Sequence, residues 1–223
     1  MLVKHRMTAD PVSVAPDDTL ADALRLTREH RIRHLPVVRD GVLAGILSDR
    51  DLRTAMPSPL EAEDAERAAR VGDTPVSGIM TAEVITAGPH DSVEDAAKLL
   101  CRHRIGALPV VDAHGRLLGM ISETDVLAAF AEVLSAGGAS SRLELSLADR
   151  PGALAAVLHV LGEELHLNVT SLMVMPKAEN GRKTAIVHVA TIDPREAIAA
   201  LERAGAIVGW PSLEADLRKG MPA

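Results

Sequence analysis

The chain states one pattern twice. Met7-Thr8-Ala9 returns as Met80-Thr81-Ala82, His30-Arg31-Ile32 as His103-Arg104-Ile105, and Leu35-Pro36-Val37-Val38 as Leu108-Pro109-Val110-Val111, each pair 73 residues apart. Gly45, Ser48 and Asp51 recur as Gly119, Ser122 and Asp125 at an offset of 74, the extra residue falling in the turn around His114-Gly115. A period this long exceeds one solenoid unit and reads as a duplicated small domain. Two such copies usually pack face to face, and a cleft between them is a ready ligand site.

Each copy carries the same local grammar. A short strand (Val12–Val14; Val84–Thr86) is expected to end at Pro16 or Pro89, after which Asp18-Thr19 and Asp91-Ser92 offer N-cap oxygens. Asp22 and Asp95 suit the positive end of the helix that follows. Leu20, Ala23, Leu24 and Thr27, and in the second copy Val93, Ala96, Ala97 and Leu100, keep helical spacing. Strands from Leu35 and Leu108 turn at Asp40-Gly41 or His114-Gly115 into partners ending at Ser48 or Ser122, and a second helix follows. Each repeat is therefore expected to be β-α-β-β-α.

Composition narrows the function. Hydrophobic residues make up 47% and charged residues 25%, which is ordinary for a globular chain. One Phe, one Trp and no Tyr leave an aliphatic core and no stacking platform for single-stranded nucleic acid. The net charge of −7 also opposes nonspecific nucleic-acid binding. Residues 1–53, with nine Lys/Arg against eight Asp/Glu, form the basic part of this acidic chain. Cys101 has no partner for an internal disulfide, and no signal peptide or long apolar run is seen, so the expectation is a cytoplasmic protein that does not engage a membrane. Within its predicted helix Cys101 is expected to be a partly buried structural thiol. His30-x-x-x-His34 lacks a nearby third ligand, so no metal is expected. No Ser/His/Asp or Cys/His set sits in a catalytic context, and no enzyme is expected.

Glu63–Arg67 and Glu66–Arg70 predict a short exposed helix joining the repeats. Ala136–Ser141 is a Gly/Ser linker. Beyond it Leu143, Leu145 and Leu147 alternate as a strand, and Asp149-Arg150-Pro151-Gly152 opens a helix to about Leu165. Strands over Val169–Met175 and Thr184–Ala190 flank Asn180-Gly181, and a helix (Pro194–Ala204) and a last strand (Ala206–Trp210) complete β-α-β-β-α-β, a ferredoxin-like plait. The expected division is 1–56 first repeat, 57–76 connector, 77–135 second repeat, 136–141 linker, 142–211 third domain and 212–223 tail.

Two motifs carry chemistry. In Gly45-Ile46-Leu47-Ser48-Asp49-Arg50-Asp51 and Gly119-Met120-Ile121-Ser122-Glu123-Thr124-Asp125, a strand meets a helix with a hydroxyl at the junction and a carboxylate three residues on. The pair can be a capping box. It can equally present an Asp to ribose hydroxyls and helix-start N–H groups to phosphate. With the repeat grammar and the Leu-Pro-Val-Val strands, these residues resemble cystathionine-β-synthase (CBS) domains over roughly residues 1–134. The resemblance implies an adenosine-containing ligand, with AMP, ADP or ATP as regulatory ligand and no catalytic cofactor. It assigns Ser48 and Asp51 to one cleft and Ser122 and Asp125 to the other, with the segments after Thr8 and Thr81 walling the adenine. Arg33-His34 stands where the second repeat has Gly106-Ala107. The resemblance implies that Arg33 and His34 reach phosphate in the cleft of Asp125 and that Gly106 leaves room there for adenine. The alternative for Arg33-His34 is a solvated basic helix end.

Asp149-Arg150-Pro151-Gly152, with Asn168-Val169 after the helix, resembles the amino-acid-binding loop of ACT domains over about residues 141–211. That resemblance implies an amino-acid effector at Asp149, Pro151, Gly152 and Asn168, the alternative being a ligand-free dimerisation domain. The order CBS–CBS–ACT is similar to acetoin-utilisation-type regulatory proteins. The expectation is an α+β chain of tandem CBS repeats and a ferredoxin-like ACT domain. It would act as a non-enzymatic, homodimeric nucleotide sensor of a metabolic enzyme; the alternative is a ligand-free scaffold that recruits one.

Overall fold

In the computed structural model residues 1–55, 71–134 and 139–211 are described. The connector helix expected over Glu63–Arg70, the first half of the Gly/Ser linker and the 212–223 tail lie outside them. The first repeat contains β1 (Thr8–Ala9), α1 (Leu20–His30), β2 (His34–Arg39), β3 (Val42–Ser48) and α2 (Asp49–Ala55). The second contains α3 (Val93–His103), β4 (Ala107–Val111), β5 (Leu117–Ser122) and α4 (Glu123–Leu134). The chain divides into two compact units, Met1–Ala129 and Phe130–Ala223.

Local chemistry sets the element ends. The Thr19 hydroxyl caps α1 by accepting the Asp22 N–H at 3.1 Å, and the Ser92 hydroxyl caps α3 by accepting that of Asp95 at 3.0 Å. Asp40 and Gly41 both take positive φ (53° and 80°), the geometry of a tight hairpin turn between β2 and β3. The strands expected over Val12–Val14 and Val84–Thr86 do not form. Val14 and Ala87 instead make single parallel bridges to Val37 and Val110. Pro11 and Pro16 bracket one segment and Pro89 closely follows the other, and a proline cannot donate to a ladder, so neither segment continues into a longer strand.

The lead-in segments cross over between the repeats. Thr8 and Ala9 pair with Met120 and Gly119 of the second repeat. Val3 donates to the Asp91 carbonyl, Val93 donates to that of Met1, and Val3 is fully buried. Conversely, Leu20 donates to the Thr74 carbonyl, and Val76, from the expected connector, packs with Leu20, Leu35, Leu47 and Leu52 in the first core. Each buried Leu of this kind contributes about 1.5–3 kcal/mol. The second core centres on Val93, Leu100, Leu108 and Ile121. Cys101, expected to be partly buried, is exposed, because it lies a helical step beyond Leu100 on α3.

The second unit comprises β6 (Ser141–Ala148), α5 (Ala153–His159) continued by a wider turn over Val160–Glu164, β7 (Val169–Glu179), β8 (Arg182–Val189), α6 (Arg195–Arg203) and β9 (Ile207–Trp210). Its antiparallel sheet has the order β7-β8-β6-β9. Leu143, Leu145, Leu147, Val187 and Val189 form one core with Leu161, Ile198 and Leu201 from the helical segments. This is the β-α-β-β-α-β connection of a ferredoxin-like plait. Among the described residues no helix is long and apolar enough to cross a membrane, and no group of three or more His, Cys, Asp or Glu could hold a metal.

Candidate functional site

The site grows from the junction of β3 and α2. The amide N–H of Ser48 donates to Asp51 Oδ2 at 2.9 Å, the Ser48 hydroxyl donates to the same oxygen at 2.6 Å, and the Asp51 N–H returns to Ser48 Oγ at 3.2 Å. This is a complete capping box, and it uses only Oδ2 of the carboxylate. Oδ1 has no hydrogen-bond partner among the described residues, so the cap leaves one oxygen of the carboxylate unused.

Thr81 is held opposite by the other repeat. Ile46 and Thr81 exchange N–H···O bonds of 2.9 Å in both directions, which lays the chain after Thr81 beside the Ser48–Asp51 turn. Gly45 makes the approach possible, since a Cβ there would stand 3.0 Å from the Thr81 carbonyl oxygen and 2.6 Å from Met80 Sδ. Between these walls opens a cleft of about 690 Å³, within the range of small-molecule sites. Val84 and Ile85 give it an aliphatic side, Arg33, Arg50 and Arg53 of the first repeat and Arg104 of the second give it cations, and His34 and His103 add imidazoles. Asp49, Glu83 and Glu123 also line it, and Arg53 is paired with Asp49.

Of the sequence-derived candidates, Arg33, His34, Ser48, Asp51, Thr81 and Gly106 line this one cleft, whereas Thr8, Ser122 and Asp125 do not. The Asp125 junction repeats the capping box, with Ser122 N–H and hydroxyl donating to Oδ2 at 2.8 and 2.6 Å. A Cβ at Gly119 would stand 2.8 Å from the Thr8 carbonyl oxygen, mirroring Gly45. Arg33 and His34, which the resemblance assigns to the cleft of Asp125, line that of Asp51. Strand register explains it: His34 stands opposite Ser48, and the Arg33 carbonyl accepts the Asp49 N–H at 2.9 Å.

The space at Gly106 is taken by His34 rather than left open for adenine. A Cβ on Gly106 would stand 2.9 Å from His34 Cε1 and 3.1 Å from Nε2. Burial, and then the neighbouring Arg33 charge, hold the His34 pKa below its ordinary value of 6.5, against the opposing pull of Glu123, Asp51 and Asp49. His34 is therefore neutral at neutral pH.

Sequence reasoning missed Arg50, His103 and Arg104. A signal for the last two lay in the repeated His-Arg pair at the helix ends. Arg104, the C-cap of α3, is left-handed (φ 54°), as is Arg31 after α1. A non-glycine residue there costs on the order of 1–3 kcal/mol, and such strain gathers at functional sites.

In the second unit Gly152 takes φ 84°, and nothing stands within 4 Å of where a Cβ on it would lie. The Asp149 carboxylate, one of the residues implied for an amino-acid effector, is engaged by Lys183 at 2.9 Å. Asn168 does not join the loop. Ala148 pairs with Arg182 at one end of the sheet, whereas Asn168 accepts from Ala190 beyond the other, roughly 20 Å or more away along the strands.

Comparison with known proteins agrees with the duplicated architecture. The CBS domain family model matches residues 3–58 and 76–132. The CBS domain-containing protein YhcV of Bacillus subtilis is 35% identical over 141 residues, spanning 63% of this chain and 94% of its own. The crystal structure of Arabidopsis thaliana CBSX2 in complex with AMP superposes with a TM-score of 0.51 at 30% identity, covering 60% of this chain and 98% of that one. A Vibrio cholerae protein assigned to acetoin utilisation gives a TM-score of 0.51 at 30% identity, over 60% of this chain and 93% of its own. The duplicated unit, its repeated Ser-x-x-Asp junctions and the family match lead to one conclusion: this chain belongs to the CBS-domain family.

Proposed function

We propose that the protein is a non-enzymatic regulatory sensor that binds an adenosine-containing nucleotide in the Asp51 cleft. The observation that carries this reading is the divided Asp51 carboxylate, with Oδ2 spent on the helix start and Oδ1 available to a ribose hydroxyl. Val84 and Ile85 provide an apolar side for adenine, and the α2 start with Arg33, Arg50 and Arg104 would meet phosphate. The AMP complex of CBSX2, a similar CBS pair, supports the ligand class. By the same logic Ser122, Asp125 and Thr8 would serve a second nucleotide at the pseudo-equivalent junction. A ligand that fits one arrangement of the repeats better than another would shift their relative orientation and thereby regulate a partner enzyme.

The second unit we propose to be an ACT-type module, on its strand order and its Asp149-Arg150-Pro151-Gly152 loop. Because Asp149 and Asn168 lie at opposite ends of one sheet, an amino acid touching both would sit between two copies in a cytoplasmic homodimer. Thermal-shift titration with AMP, ADP, ATP, S-adenosylmethionine and amino acids tests both readings, since a ligand that binds only the folded state raises the melting temperature with concentration. A saturable shift with an adenosine compound is expected. No shift from any of them, with protein shown to be ligand-free, would leave a scaffold.

A further inference from the structure

Two imidazoles, His34 and His103, line the Asp51 cleft. His34 lies against Gly106 of the opposite repeat, its Cε1 2.9 Å from where a Cβ on that glycine would stand, and its ring borders the cleft. The charges bearing on it are Arg33 on its own strand, Asp49 and Asp51 on α2, and Glu123 at the start of α4. Two of the three carboxylates are already engaged, Asp49 by Arg53 and Asp51 by Ser48. His103 and Arg104 line the same cleft from the opposite repeat.

We infer that His34 reads the charge of the ligand, taking up a proton as a phosphorylated adenosine enters, so that the cleft selects adenosine phosphates over the sulfonium compound S-adenosylmethionine. This rests on the reading of the cleft as an adenosine site and specifies its chemistry. In the empty cleft the imidazole is neutral, for the reasons of burial and Arg33 given above. A phosphate dianion beside it favours the imidazolium, which then donates a charge-assisted hydrogen bond. A sulfonium cation gives no such gain and meets the same arginines with the wrong sign. One linked proton makes affinity for the phosphate rise as pH falls, by at most about tenfold per pH unit.

The test is calorimetry of AMP binding in buffers of different ionisation enthalpy at about pH 7.5, where a phosphate monoester is already largely dianionic. Net proton uptake is expected in the native protein and its loss in His34→Gln, with S-adenosylmethionine bound at least about tenfold more weakly than AMP. Equal proton uptake in both proteins, or equal affinity for the two ligands, would overturn the inference. Titration of the His34 ring by NMR with and without AMP gives the answer even if the variant misfolds. An unchanged midpoint contradicts the proposal, and a raised one supports it. Absence of AMP binding by ligand-free protein would instead remove the underlying site and the inference with it.

Discussion

In the proposed function Asp51 divides its oxygens between fold and ligand, so removing the residue would confuse the two roles. Asp51→Asn separates them, because an amide oxygen still accepts from Ser48 while the second acceptor becomes a donor. The variant should melt close to the native protein yet bind AMP roughly tenfold to a hundredfold more weakly, the worth of a hydrogen bond to a charged group. His34 adds a pH dependence without ligand. Its folded pKa lies below its ordinary 6.5, so the unfolded chain protonates first as pH falls. The stability held above 6.5 is then lost on acidification through that value towards the lower folded pKa. Melting temperature followed across this window should fall more steeply in native protein than in His34→Gln. At this scale the sequence showed Ser48 and Asp51 plainly, because a capping box is local. It could not show that Arg104 and His34 share a cleft, since that depends on a helix end of one repeat meeting a strand of the other.

Among the elements, the hairpins were legible because Asp40-Gly41 and Asn180-Gly181 supply the positive φ that a tight turn demands. The first strands were not, because Val12–Val14 and Val84–Thr86 carry β-forming side chains but adjoin prolines that cannot continue a ladder. Nor did the Met-Thr-Ala repeat reveal its purpose. In the structure Met7 and Met80 cover Gly119 and Gly45, and Thr8 and Thr81 pair beside those glycines. Gly119→Ala would press a methyl to 2.8 Å from the Thr8 carbonyl oxygen, a backbone atom with little room to yield. A loss of about 1–3 kcal/mol is expected in chemical denaturation, as for other overpacked sites. An unchanged midpoint would mean that the β1–β5 contact is not needed for stability.

For the whole molecule, repetition revealed the duplication but hid its exchange. The sequence boundaries assign residues 1–56 to one repeat, yet Val3, Thr8 and Ala9 pack and pair with the second, while Thr74 and Val76 complete the first. Residues 1–134 should therefore fold and bind AMP without the rest, since the first unit encloses its own cores and YhcV matches over nearly its whole length. Circular dichroism and AMP titration of that fragment check this, and a fragment that is unfolded or cannot bind would contradict it. The central claim is that adenosine nucleotide is held at Asp51. The most direct measurement is AMP titration by calorimetry of the native protein and of Asp51→Asn, with circular dichroism confirming that both are folded. The account predicts saturable binding in the native protein and at least about a tenfold loss in the variant. Native protein that is ligand-free and fails to bind, or a variant that binds as tightly as native, would contradict it.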